Sequence, residues 1–135
     1  MKIGVFICHC GSNIAGTVDC GKVAEIAKTY PDVAFSTDTM YTCSEPGQEE
    51  IVAAIKEHKL DGVVVACPLC HMNLDLRQRQ AVGGSMKMPV LYFTQLMGLA
   101  LGLPHQELGF EKLCVSPDEL LRKIDAGTLV RQKPS

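Results

Sequence analysis

Apolar residues along the chain come in short runs, each closed by a turn signal. Residues 3–8 (IGVFIC) form an apolar run with β-branched members, ended by the glycine turn at Gly11, and predict a buried strand. Residues 11–17 form a loop of small side chains. Asp19 is placed to cap a helix over about 20–29, with Val23, Ile26 and Ala27 on its inner face, and Pro31 stops it. Residues 33–35 open a second strand that 39–43 would extend. Ser44 and Pro46 open a second helix, with Ile51, Val52 and Ile55 at helical spacing, and it ends near His58.

Residues 62–66 (GVVVA) are continuously apolar, as suits a strand covered on both faces of a parallel sheet. The sequence Cys67-Pro68-Leu69-Cys70 follows at once, then a helix over about 71–80 that Gly83 and Gly84 break. Residues 89–93 predict a fourth strand and 94–101 an apolar helix, ended by Gly102 and Pro104. Ser116, with Pro117 at the first helical position, starts a last helix to about Asp125, and the tail RQKPS is polar and frayed. Strand and helix alternate throughout. The expectation is one α/β domain over residues 1–135, with a mostly parallel sheet of about four strands, helices on both faces and right-handed crossovers, Rossmann- or flavodoxin-like.

Composition narrows the function classes. The 135 residues suffice for one real core, and 47% apolar with 21% charged residues is ordinary for a globular protein. The formal charge is -2 with no block of Lys and Arg, which argues against a nucleic-acid surface. The opening MKIGVFICHCG does not read as a secretory signal. The most apolar stretch, 88–103, is interrupted by Thr94, Gln95 and glycines, short of the roughly 18 apolar residues of a membrane span. A cytoplasmic location is the expectation.

Seven cysteines change the picture. The number is odd and cytosolic thiols stay reduced, so clustered cysteines point to metal or redox chemistry. In parallel sheets ligands sit beyond the carboxyl ends of the strands. Cys8 and Cys10 follow the first predicted strand, Cys43 the second, and Cys67 and Cys70 the third, so five of the seven fall on one edge. Thiolates are the soft anionic ligands an iron–sulfur cluster needs, usually four per cluster. Cys10, Cys43, Cys67 and one of Cys70 or Cys8 are the candidate set. Gly11, Ser12, Ser44 and Gly47 would leave backbone N–H groups to approach sulfide.

Zinc accepts the same ligands, with His9 or His71 as substitutes. Thioredoxin-type chemistry at Cys67 and Cys70 is a further reading, since a helix starting at the pair lowers a thiol pKa. Cys20 and Cys114 read as small buried hydrophobes, and Leu96, Met86, Met88 and Met97 as core or contact surface. His58 and His105 read as surface residues.

Two stretches carry a resemblance to heterodisulfide reductase. Residues 1–66, with GVFICHCGSNIAGTVD, YTCSEPGQEEI and IKEHKLDGVVVAC, resemble the amino-terminal domain of its A-type subunit. Residues 61–121, with VVVACPLCHMNLDLRQ and MPVLYFTQLMGLALGL, resemble the carboxyl-terminal part of its B-type subunit, including the end of the CCG domain. The resemblance implies a cluster bound by cysteines of CHCG, YTCS and VVAC. It implies work beside other flavin or iron–sulfur subunits of an anaerobic redox complex. No GxGxxG is present, so the resemblance brings no FAD to this chain, and the adjacent Cys-Cys-Gly of the B-type subunit is missing.

An ordinary [4Fe–4S] cluster on Cys10, Cys43, Cys67 and Cys70, with Cys8 the first substitute, is the expectation. The small hydrogenase-linked subunit with a similar cysteine layout keeps [2Fe–2S] open. The leading reading is an electron-transfer subunit, not catalytic alone. Its rivals are a reductase of a disulfide or thiol, at the cluster or the Cys67–Cys70 pair, and a zinc-stabilised interaction module.

Overall fold

The structure, a computed structural model, describes residues 2–81 and 87–131. The helix break expected at Gly83 and Gly84, the role expected of Met86, and the tail after Arg131 lie outside the described residues.

Strand β1 (Ile3–Cys8) pairs in parallel with β2 (Val33–Thr39), and β3 (Val63–Val65) pairs in parallel with β4 (Val90–Tyr92). Helices α1 (Ser12–Ala15) and α2 (Cys20–Ala27) carry the chain from β1 to β2. Helix α3 (Glu45–His58) crosses from β2 to β3, and α4 (Pro68–Leu76) with α5 (Gln78–Ala81) leads from β3 towards β4. Helix α6 (Phe93–Ala100), two single 3₁₀ turns and α7 (Asp118–Arg131) complete the order. Among the described residues the hydrogen-bonded ladders make two two-stranded sheets, and none joins β1 to β3.

Local chemistry accounts for the element ends. The Asp19 side chain accepts from the Lys22 amide at 3.0 Å and caps α2. Ser44 caps α3 by accepting from the Gly47 amide at 3.3 Å, with Pro46 in the first turn. At the other end of α3, Lys59 takes a left-handed conformation and the Leu60 amide returns to the Ile55 carbonyl.

The inner face of α2 differs from expectation. Cys20 and Ala24 are buried there, whereas Val23 and Ile26 are exposed. Small residues win this face because the backbone comes close to the sheet: Ser36 Oγ donates to the Ala24 carbonyl at 2.8 Å.

Two apolar clusters form the core. Ile51 and Ile55 of α3 pack with Leu60, Leu74 and Val90, and Phe6, Val63 and Val65 lean on them. Leu91 packs on the other side with Phe110, Leu120 and Leu121. Val90 and Leu91 are 1% and 0% exposed, and successive strand residues face opposite ways, so β4 is covered on both faces. The first cluster draws on both sheets, since Phe6 belongs to β1 and Val63 to β3.

Candidate metal centre

The carboxyl ends of the strands place the thiols. Cys8 is the last residue of β1, and the chain then turns sharply through Cys10, whose φ is 49°. That turn aims the Cys10 amide back at Cys8 Sγ, 3.3 Å away. The buried Thr42 donates its own amide to the same sulfur at 3.5 Å, so Cys8 Sγ accepts two backbone N–H groups. Cys43 follows Thr42 directly, and Gln48 Nε2 fixes its carbonyl at 3.1 Å. Cys67 is the N-cap of α4, with Pro68 in the first turn, and Cys70 lies one turn in. Thr42 Oγ1 stands 3.9 Å from Cys70 Sγ.

Electrostatics ties these groups together. Burial pushes the Cys8 thiol up, but hydrogen bonds from the Thr42 side chain and from the Thr42 and Cys10 amides hold it below the ordinary value. The charge of Cys67 opposes them. The Cys67 thiol is lowered, first by the Cys70 amide and then by that of Leu69, as befits a sulfur at a helix N-terminus. Cys70 is pushed up to about 12, first by burial, then by its contact with Cys67 and by the charges of Cys67 and Cys43, with Thr42 opposing.

Cys67 lies near enough to Cys8 and to Cys70, and Cys43 near enough to Cys70, for charge on one to act on the other, and Thr42 meets both Cys8 and Cys70. Cys10 stands apart. It is exposed, and its Sγ accepts from Asn13 Nδ2 at 4.0 Å. The amides expected to be open at glycine and serine positions are mostly committed to the protein. Gly11 donates to Met40, Ser44 to Tyr41, and Gly47 to the Ser44 hydroxyl. The sulfur-directed amides are those of Cys10 and Thr42 instead.

Neither histidine turns its Nε2 to the site. His9 Nε2 pairs with Asp38 at 2.7 Å, while His71 Nε2 donates to the Val90 carbonyl at 3.1 Å and its ring stacks on Tyr92. Cys20 is buried as expected, but Cys114 is exposed, and its amide is held by the buried Asp75 carboxylate at 2.9 Å. Leu96, Met97 and Leu101 are exposed rather than core.

The donor chemistry fits an iron–sulfur cluster: soft thiols from three separate segments, two of them already held below their ordinary titration range. No three of the described His, Cys, Asp and Glu side chains form a ready-made cage for a single metal ion. A tetrahedral zinc with bonds of about 2.3 Å needs its four sulfurs about 3.8 Å apart. A cluster interposes iron and sulfide between its cysteines and asks for a wider set.

Sequence reading missed Thr42, which touches two thiols. Its only signal was a hydroxyl residue next to Cys43.

The described residues form two parallel strand pairs with helices between them, and thiols stand at the carboxyl ends of β1 and β3. Comparison with known proteins carries this further over the amino-terminal half. There the chain is 53% identical to the first A-type iron–sulfur subunit of the CoB–CoM heterodisulfide reductase of Methanopyrus kandleri, over 54% of this chain and 11% of that protein. It is 46% identical to the A-type subunit of the ferredoxin:CoB–CoM heterodisulfide reductase of Methanosarcina mazei, over 49% of this chain and 8% of that one. It is 52% identical to the A-type subunit of the H2:CoB–CoM heterodisulfide, ferredoxin reductase of Methanothermobacter thermautotrophicus, over 48% of this chain and 10% of that one. Homologues of the amino-terminal half are therefore heterodisulfide reductase subunits of the A type. The chain spans about a tenth of the length of these relatives. No protein-family profile matches the chain. Among the described residues no helix is long and apolar enough to cross a membrane.

Proposed function

We propose that this chain is an iron–sulfur electron-transfer subunit of a heterodisulfide reductase-like redox complex in the cytoplasm. The observation that carries the reading is the convergence of Cys8, Cys43, Cys67 and Cys70 about Thr42 at the carboxyl ends of β1 and β3. Homology of the amino-terminal half to A-type subunits points the same way. The VVVACPLCHMNLDLRQ segment would add a half like the B-type subunit over 61–121.

A [4Fe–4S] cluster held by these four thiolates would supply one-electron chemistry, with [2Fe–2S] as the smaller alternative. Cys8 takes the fourth place ahead of Cys10, because Cys8 faces Thr42 and Cys67 while Cys10 faces Asn13. The Thr42 hydroxyl and the Thr42 and Cys10 amides place N–H and O–H donors on ligand sulfur, which raises a cluster's potential. Other subunits of such a complex are the partners, and flavin is left to them.

Iron, sulfide and zinc per chain, measured in protein purified without oxygen, test the reading. About four irons with matching sulfide are expected, or two of each for the smaller cluster. Zinc near one per chain without sulfide would replace it with a zinc-stabilised module.

The Cys67–Cys70 pair favours a second reading, a disulfide or thiol reductase. An exposed, lowered thiol beside a half-buried, raised one at a helix N-terminus is the arrangement such chemistry uses. Turnover of a disulfide with an artificial donor, abolished in Cys67→Ser, would support it. No turnover by fully loaded protein would exclude it.

A further inference from the structure

Between the two sheets lies a cleft of about 530 Å³. Residues 2–8 line one side and residues 60–67 the other, over a floor of Ile51, Ile55 and Leu74. Its walls are the inner edges of β1 and β3, and the hydrogen bonds already made show which groups those edges present. Ile3 donates to Asp32 and His9 to Thr39, both towards β2. Amides alternate sides along a strand, so those of Gly4, Phe6 and Cys8 point to the cleft. Val63 donates to Pro89 on the β4 side, so the Val64 amide points to the cleft as well. Val64 is exposed although it is an apolar residue in the middle of its strand.

This arrangement is unsatisfied in two ways. Two-stranded sheets are marginal alone, and parallel strands are normally paired and covered. Unpaired edges also template contacts with other chains. At one end the two edges terminate in thiols that interact with each other, Cys8 on β1 and Cys67 just after β3. A group gripping both sulfurs would fix the strand ends together, leaving only a short local closure to complete.

We propose that the metal centre is the clasp of a split sheet: loading Cys8 and Cys67 with the cluster zips β1 to β3 and converts the two sheets into one, in the order β2-β1-β3-β4. The inference rests on the cluster reading above and adds a conformational consequence to it. Loading is expected to bury the apolar, edge-exposing cleft.

Residue-resolved amide hydrogen exchange on metal-free and anaerobically reconstituted protein tests this, with iron and sulfide measured on the same samples. Exchange at Phe6 and Val64 is expected to slow about tenfold or more on loading, as amides entering a cooperative ladder do. Val5, Ile7 and Val63 already donate within their own sheets and serve as the internal reference. Loaded protein in which Phe6 and Val64 exchange as in the metal-free form would overturn the closure and leave the cluster reading intact. Protein that takes up no iron would overturn both. Val64→Pro provides a second arm, because it deletes a cleft-facing amide and spares the bonds to β4. Several-fold faster iron release to a chelator is expected in this variant, and release at the parent rate would count against the zipped sheet.

Discussion

The Thr42 hydroxyl stands 3.9 Å from Cys70 Sγ while the Thr42 amide donates to Cys8 Sγ at 3.5 Å. One buried residue thereby bridges the thiol at the end of β1 and a thiol in the first turn of α4. Towards a thiolate the hydroxyl must act as donor, so it favours the charged form of Cys70 against the burial that disfavours it. Thr42→Val keeps the amide and the shape but removes that donor. The loss of one such bond is worth about 1 kcal/mol, or about 40 mV for a one-electron couple. The loaded variant is expected to have a lower potential by about that amount in spectroelectrochemical titration. An unchanged potential would show that the hydroxyl does not act on the cluster.

Cys8 and Cys10 are only two residues apart, yet they face different surroundings. Cys8 Sγ collects two backbone amides, and Cys10 Sγ sits at the surface beside Asn13. Cys8→Ser is expected to purify with little of the parent's iron and sulfide. Cys10→Ser is expected to keep them, because its contribution to the site is its backbone N–H, which serine retains. Metal analysis of the two variants side by side decides the assignment, and the reverse result would install Cys10 as the ligand.

In metal-free protein the two thiols of the Cys67–Cys70 pair are expected to separate by reactivity. Cys67 is exposed and lowered, so iodoacetamide should modify it first, with a pH midpoint below the ordinary thiol value of about 8.5. Cys70 is half-buried and pushed up to about 12, so it should lag until strongly alkaline pH. The linkage signs follow. Cys70 stabilises the metal-free fold as a neutral thiol, fully so below the unfolded thiol value, and that contribution is lost as pH rises towards about 12. Cys67 acts oppositely: its contribution is present above the unfolded value and is lost as pH falls through its lowered folded value. Mass spectrometry of the alkylated peptides across pH reads both thiols. Equal rates for the two would contradict the asymmetry.

Periodicity and caps made most elements legible in the sequence. Asp19 and Ser44 announced helix starts that the structure places one residue later, and GVVVA announced β3. The positions of Cys8 at the end of β1 and Cys67 just after β3 were legible too, because loops carrying such residues leave a parallel strand at its carboxyl end. What stayed hidden depended on non-local packing. The inner face of α2 belongs to Cys20 and Ala24 because Ser36 pulls the helix close, and hydrophobicity alone chose the larger Val23 and Ile26. The separation of Cys8 from Cys10 arises from a backbone turn with φ of 49° at Cys10, which residue type does not announce. Thr42 acquires its role only when the chain 34 residues after Cys8 returns to it.

Glycine at position 47 illustrates how local propensity and packing can demand opposite residues. It lies in the first turn of α3, where propensity favours alanine by about 0.5–1 kcal/mol. A Cβ there would lie 2.9 Å from both Thr42 Cα and the Thr42 carbonyl oxygen, and closer still to the Tyr41 carbonyl. These are backbone atoms of the loop that holds Thr42 and Cys43, so no side-chain rotation relieves the contact. Overpacking of this kind costs roughly 1–3 kcal/mol, enough to reverse the sign. Gly47→Ala is therefore expected to lower the denaturant midpoint and to speed iron loss, since the shifted loop carries Cys43, a proposed ligand. Gly21→Ala in α2 provides the comparison. Its added Cβ would meet only Asp19 Oδ1, at an ordinary 3.8 Å, so this variant is expected to be neutral or more stable by up to about 1 kcal/mol. Equal midpoints for the two variants would mean that α3 does not press on the Thr42 loop, and the precise placement of that loop would then need another cause.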